Sequence, residues 1–211
     1  MASRFTRRTL VGIALATAAA AGGFVAYATL ESRPSAPRFN AMDITGASWG
    51  RGFELTDHNG KTRTLADFRG KVVMLFFGYT GCPDMCPTTL ALLAGAMKEM
   101  GPDAEQVQGL FVTVDPERDT PQLLAQYVPA FYPTFLGLYA EPATTERTVA
   151  EFKGYFHANA PNDRGSYTVD HSAQVYVFDP AGRIRLFIQP PEATPESIAH
   201  DVRLLLREAA G

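Results

Sequence analysis

Cysteine is nearly absent from this chain, with two among 211 residues. Small exported proteins that lack a large core are usually held by several disulfides. Two cysteines exclude such a scaffold. The hydrophobic content of 46% is instead sufficient for a globular core, and no low-complexity tract indicates disorder.

Positive charge is also scarce. The chain has 19 Lys and Arg against 22 Asp and Glu, and the first thirty residues contain three of the basic residues and none of the acidic ones. The rest therefore has a formal charge of −6. Because nucleic-acid binding depends largely on neutralising phosphates, this balance indicates that nucleic acid is not a partner.

The N-terminus has the pattern of a targeting segment. Arg4, Arg7 and Arg8 precede an uncharged stretch over residues 9–30, about the ~20 residues that a membrane-spanning helix needs. Positive charge before an apolar run keeps that end in the cytoplasm. We expect residues 1–30 to anchor the protein in a bacterial inner membrane, with the domain on the periplasmic side.

Cleavage of the same segment is the alternative. Residues 6–11 are similar to a twin-arginine export signal, and Ala26-Tyr27-Ala28 fits a small-x-small cleavage site. A cleaved signal would leave a soluble periplasmic protein. Either route exports the domain to a compartment in which disulfides persist.

Residues 31–50, which include Pro34 and Pro37, are typical of a linker. Residues 51–211 then form one predicted domain. Its pattern is a hairpin around Asn59-Gly60, buried strands over 71–78 and 107–114, a short strand over 135–139, and a hairpin over 174–188. Helices are predicted over 88–100, 120–131, 144–156 and 194–209. This order predicts an α/β fold with a mixed sheet flanked by helices.

Both cysteines lie in one turn between a predicted strand and a predicted helix. The segment reads Gly81-Cys82-Pro83-Asp84-Met85-Cys86-Pro87. Ligands of open α/β sheets collect at the carboxyl ends of strands, and a helix N-terminus favours thiolate over thiol. The pair is suited to disulfide exchange, to a soft metal such as Cu(I), or to both.

Two structural explanations compete with these. A disulfide across so short a loop would contribute only about 2 kcal/mol by loop entropy, against ~4.7 for a 100-residue loop. Two unrelated core cysteines are the other explanation, but the Gly, Pro and Asp neighbours are unlike core packing. Both therefore explain the pair less well than disulfide exchange or metal binding does.

A metal bound by two thiolates needs a further donor, and the chain has four histidines. We expect His58 to be solvated in its turn and His157 and His200 to be surface residues. His171 stands just before a predicted central strand, where a thioredoxin-like fold brings a loop beside the cysteine turn. Its position makes it the expected third ligand.

Three segments resemble the Sco/SenC family of membrane-anchored copper proteins, which take part in cytochrome c oxidase assembly. They are the cysteine segment 81–87, Val114-Asp115-Pro116-Glu117-Arg118-Asp119-Thr120-Pro121, and Val169-Asp170-His171-Ser172. The resemblance extends from about Gly52 to the C-terminus. It implies a thioredoxin-like fold.

The resemblance also implies that Cys82, Cys86 and His171 bind copper, as Cu(I), Cu(II) or both. We expect a Cys82–Cys86 disulfide to be the oxidised form without metal. Asp115 is expected to orient His171 or to contact a partner, and Tyr79 to line the site without coordinating. Met85 is expected to pack, and Asp119 and Thr120 to cap the following helix.

Two functions remain open at this point. The protein is either a metallochaperone that passes copper to the dicopper subunit of cytochrome c oxidase, or a thiol-disulfide oxidoreductase that reduces that subunit's cysteines. Other copper chaperones are possible partners. No catalytic residue is indicated apart from the redox pair. A peroxiredoxin-like peroxidase fits poorly, because Thr80 is two positions before Cys82 and that family's motif needs three.

Overall fold

The computed structural model describes residues 38–211. The predicted membrane anchor at residues 1–30 lies outside the described residues. Within the part that is described, none of the helices combines the length and apolar composition that crossing a membrane requires.

Ten strands and four α-helices are formed by the described residues. The strands are β1 (Met42–Asp43), β2 (Glu54–Asp57), β3 (Thr62–Thr64), β4 (Val72–Gly78), β5 (Val107–Thr113), β6 (Leu136–Tyr139), β7 (Phe156–Ala158), β8 (Val169–His171), β9 (Val175–Phe178) and β10 (Ile184–Ile188). The helices are α1 (Met85–Met100), α2 (Pro121–Tyr127), α3 (Pro142–Glu151) and α4 (Pro195–Ala210). Short 3₁₀ helices cover Leu65–Phe68, Gly101–Gln106 and Pro190–Glu192.

Eight strands form a mixed sheet in the order β1-β10-β9-β4-β5-β6-β2-β3. β4 is parallel to β5, β5 is parallel to β6, and the remaining neighbours are antiparallel. All seven residues of β4 are buried, as are all seven of β5. The continuous apolar sequence of β4 fits a strand covered on both faces. The expected α/β fold with a central mixed sheet is confirmed.

The helices begin where the sequence offers caps. Thr120 and Thr194 each accept a hydrogen bond from the backbone N–H three residues on, and a proline follows each of them. Helix α1 packs on α4 so closely that a Cβ on Gly95 would lie 2.9 Å from Pro195 Cγ. The glycine therefore permits the contact between these helices.

The folded unit includes part of the segment assigned to the linker. It begins at Phe39, and Met42 and Asp43 pair with Phe187 and Leu186. The backbone N–H groups of Asn40 and Ala41 donate to the buried Asp201 carboxylate. A two-residue edge strand carries no periodicity, which is why local patterns assign it to a linker.

The predicted helix over 144–156 is wrong at its end. Helix α3 stops at Glu151, Lys153 has a φ of 55°, and Phe156 belongs to strand β7. β7 pairs with β8 in a separate two-stranded sheet, here called the ribbon. Likewise, α2 ends at Tyr127 rather than near Phe131.

Candidate metal centre

The three conspicuous segments of the sequence meet at one edge of the central sheet. Gly78 and Thr113 are paired at the ends of the parallel strands β4 and β5, so the cysteine turn and the 114–121 segment emerge side by side. β9 runs antiparallel to β4, with Val175 opposite Phe76. Residues that precede β9 therefore arrive at the same edge, and His171 is among them.

Cys82 and Cys86 occupy the turn and the first turn of α1. Cys86 is fully buried and Cys82 is half-buried. The backbone N–H of Cys86 lies 3.4 Å from the Cys82 sulfur and donates to it. The turn thus holds a half-buried cysteine beside a fully buried one.

His171 aims one ring nitrogen at the buried sulfur. Its Nε2 lies 3.4 Å from Cys86 Sγ, and its Nδ1 lies 2.9 Å from the Ser172 carbonyl oxygen. A carbonyl only accepts, so Nδ1 carries the hydrogen in the neutral ring and Nε2 keeps a free lone pair. Metal-binding histidines are commonly oriented in this way by their second nitrogen.

Aromatic rings fix the plane of the imidazole. The Phe76 and Tyr79 rings meet it edge to face at centroid distances of 6.0 and 5.9 Å. Tyr79 is buried, and burial raises the pKa of its phenol although the backbone N–H of Val169 opposes the shift. Tyr79 therefore lines the site. That it does not coordinate the metal stays a prediction.

The donor atoms of Cys82, Cys86 and His171 all lie within 4.8 Å of one another. Among the described residues, this is the one group of three or more Cys, His, Asp or Glu side chains with metal-binding spacing. Two sulfurs and one imidazole nitrogen suit copper, and zinc accepts the same donors. The residues present therefore fit a thiophilic transition metal.

The protonation of Cys86 differs from the thiolate that the sequence predicted. Burial raises the pKa of the Cys86 thiol, and the neighbouring Cys82 and Asp119 raise it further, so it is a thiol at neutral pH. Burial outweighs the helix N-terminus that was expected to favour thiolate. Burial also lowers the pKa of His171, which keeps its imidazole neutral. Metal binding must displace the Cys86 proton.

Both cysteines are free thiols in this structure. The Cys82–Cys86 disulfide therefore stays a prediction for the oxidised protein. The other three histidines lie outside the site. His157 and His200 are exposed, whereas His58 is half-buried and its Nδ1 accepts a hydrogen bond from Gly137 N–H. His58 is thus less solvated than expected.

Asp115 is near the site, but its carboxylate forms no hydrogen bond with the His171 imidazole. One carboxylate oxygen pairs with Arg118 Nε at 2.5 Å, and the other accepts a hydrogen bond from the Tyr167 hydroxyl at 2.9 Å. Neither Arg118 nor Tyr167 was predicted from the sequence to act at the site. Arg118 stands inside the 114–121 segment, so its place in the motif was a usable signal.

Asp119 does not cap α2, contrary to expectation, since Thr120 does so. The Asp119 carboxylate is buried and accepts hydrogen bonds from Thr80 N–H, Thr80 Oγ1 and Thr113 Oγ1 at 3.0, 2.5 and 2.6 Å. It therefore joins the start of the cysteine turn to the end of β5.

The sequence of most of this chain is similar to that of known proteins. A family model described as SCO1/SenC matches residues 41–207. The mitochondrial SCO2 homolog of Bos taurus is 41% identical over 139 residues, which are 64% of this chain and 52% of that protein. The chain thus spans about half the length of that relative.

Two similar solved structures contain copper. ScoI of Bradyrhizobium japonicum with copper bound is 39% identical, has a TM-score of 0.68, and is matched over 75% of this chain and 99% of that one. ScoI of Arabidopsis thaliana with copper bound is 32% identical, with a TM-score of 0.70 and coverages of 77% and 99%. These similarities support the thioredoxin-like fold.

Proposed function

This chain belongs to the SCO1/SenC family, and we propose that it binds copper and assists assembly of the dicopper site of cytochrome c oxidase. The observation that carries the proposal is the cluster of Cys82, Cys86 and His171, whose donor atoms lie within 4.8 Å of one another. Homologous structures that contain copper support the choice of metal.

The geometry supports different roles for the three ligands in copper transfer. Cys86 and the Nε2 of His171 form the enclosed part of the site, 3.4 Å apart. Cys82 is half-buried and is the more exposed of the two cysteines. An acceptor thiolate would therefore displace Cys82 first, while Cys86 and His171 still hold the copper. Copper then passes as cargo by successive ligand exchange.

Copper binding and release are coupled to the proton on Cys86. Because burial keeps Cys86 protonated, loading releases its proton and unloading takes one back. The neutral His171 already presents a lone pair on Nε2. Apparent copper affinity should rise with pH for this reason.

The proposed acceptor is the copper-site subunit of the oxidase, and other copper chaperones are proposed as further partners. We also propose that residues 1–30 anchor the protein in the inner membrane with residues 51–211 as the copper-binding domain in the periplasm. Cleavage of that segment remains the alternative arrangement.

Reduction of the acceptor's cysteines is the second candidate function. The proximity of two free thiols, with Cys86 N–H directed at the Cys82 sulfur, supports it. The Cys82 thiolate would attack an acceptor disulfide, and Cys86 would then resolve the mixed disulfide. The acceptor gains two thiols and this chain gains a Cys82–Cys86 disulfide, so electrons and protons balance.

The test is a competition titration of the reduced full-length protein with Cu(I), together with spectroscopy of the Cu(II) form. We expect binding of one copper and a thiolate-to-copper charge-transfer band. His171→Ala should weaken binding sharply yet leave disulfide exchange largely intact. His157→Ala is the matched control, because it removes an exposed histidine from β7. Absence of the band in the wild type would contradict the proposal.

A further inference from the structure

His171 is carried by an element that does not belong to the main sheet. It ends β8, whose partner in the ribbon is β7, with Phe156 opposite His171 and Ala158 opposite Val169. Cys82 and Cys86 are instead fixed by β4 and α1. The distance between the imidazole and the sulfurs therefore depends on how the ribbon is attached to the sheet.

Tyr167 provides such an attachment just before β8. Its hydroxyl donates to Asp115 Oδ1 at 2.9 Å, and its carbonyl oxygen accepts from Arg118 Nη1 at 2.8 Å. The Arg118 guanidinium carbon lies 3.5 Å from the centroid of the Tyr167 ring. Hydroxyl, ring and backbone of a single residue are thus all held by the loop that follows β5.

Asp115 and Arg118 are themselves paired, and Asp115 is buried while Arg118 is half-buried. Asp115 is 5% exposed, and its carboxylate meets Arg118 Nε while its backbone N–H donates to Thr113 Oγ1 at 3.0 Å. The carboxylate is therefore anchored at the end of β5, beside the cysteine turn.

The arginine also reaches towards the aromatic wall of the metal centre. Its guanidinium carbon lies 5.6 Å from the Tyr79 ring, which packs edge to face on His171. Its Nη2 is buried without a hydrogen-bond partner among residues 38–211. The guanidinium also makes a cation–π contact with the Tyr167 ring.

We infer that Asp115, Arg118 and Tyr167, together called the tyrosine clasp, are positioning residues that hold the ribbon so that His171 reaches the two cysteines. The inference rests on the proposed copper site and adds to it the device that assembles its third ligand. The clasp contacts no donor atom. It fixes the ribbon four residues before His171, and Tyr79 packs between the arginine and the imidazole.

The chemistry of the clasp predicts graded effects. Tyr167→Phe removes the hydroxyl donor but retains the ring under Arg118, so the loss should be small. Arg118→Lys keeps the charge but loses the planar stack and the paired contacts to Asp115 and to the Tyr167 carbonyl. The lysine variant should therefore be the more damaging of the two.

The first experiment needs no metal. Amide hydrogen exchange of the full-length apo protein should accelerate about fivefold at Asn159 and Ser172 in Tyr167→Phe, the effect of losing one hydrogen bond, and more in Arg118→Lys. Both amides bond within the ribbon region. Amides of β4 and β5 should be unchanged. Tyr155→Phe, at an exposed tyrosine beside the ribbon, is the control.

The second experiment asks whether the clasp acts through His171. Cu(I) affinity should fall about fivefold in Tyr167→Phe and about tenfold or more in Arg118→Lys, with weaker nitrogen hyperfine coupling in the Cu(II) spectrum. In a His171→Ala background neither change should reduce affinity further, because the ligand they position is gone.

Equal losses with and without His171 would overturn the inference, as would unchanged exchange of the ribbon amides in Arg118→Lys. Failure of the proposed function is a different result. In that case the wild type binds no copper, and the exchange measurement still decides whether the clasp holds the ribbon.

Discussion

At the scale of single residues, the absence of a side chain at Gly78 shapes the metal centre. A Cβ there would lie 2.9 Å from Cys86 Sγ and 2.7 Å from Phe111 Cε2. Both neighbours are fully buried, so a Cβ would have to displace packed side chains. Gly78 therefore lets the end of β4 pass directly beneath the buried sulfur.

Gly78→Ala should displace Cys86 and weaken copper binding. We expect the unfolding free energy of the reduced protein to fall by about 1–3 kcal/mol, as in other overpacked cores. Denaturant titration and copper competition measure the two effects. Gly81→Ala is the matched control, because a Cβ there meets only Tyr79 ring atoms at 3.6 Å. Equal behaviour of the two variants would contradict this account of Gly78.

At the scale of elements, two loops after adjacent parallel strands share one buried carboxylate. Asp119 receives hydrogen bonds from Thr80, at the start of the cysteine turn, and from Thr113, at the end of β5. Burial raises the pKa of Asp119, and these hydrogen bonds oppose the rise. The carboxylate thus couples the position of the cysteine turn to β5.

Asp119→Ala should loosen the cysteine turn. It leaves the Thr80 N–H and two hydroxyls without their acceptor, so we expect a loss of about 2–3 kcal/mol in unfolding free energy and a lower copper affinity. Asp84→Ala removes an exposed carboxylate from the same turn, and its cost should stay below about 1 kcal/mol. A cost as large for Asp84→Ala would refute the specific role of Asp119.

At the scale of the whole molecule, the proposed copper site joins separately fixed parts of the chain. Cys86 belongs to α1 and His171 to the ribbon, 85 residues apart. The unfolded chain does not hold the three donors together. Copper should therefore bind the native state preferentially and stabilise it.

Copper loading should raise the melting temperature reversibly. Free copper at 100 times its dissociation constant contributes about 2.7 kcal/mol, or about 5–10 °C for a domain of this size. Calorimetry before and after a chelator measures the shift. The rise should be retained in His157→Ala and reduced in His171→Ala. An equal rise in both variants would exclude His171 as a ligand.

The sequence by itself determined the local elements and most of the chemistry. The buried strands β4 and β5, the caps at Thr120 and Thr194 and the cysteine turn follow from short-range patterns. Apolar runs, capping and turn geometry all involve neighbouring residues. The choice of His171 among four histidines also came from the sequence, through its place before a central strand and the family resemblance.

Only the tertiary structure decided the contacts between distant segments. The ribbon, the role of Asp119, the protonation of Cys86 and the attachment of Tyr167 to Asp115 and Arg118 leave no periodicity in the chain. Each depends on which loops the mixed sheet brings to one edge and on how fully they are buried there. Burial is a property of the assembled fold, and it overrode the helix N-terminus at Cys86.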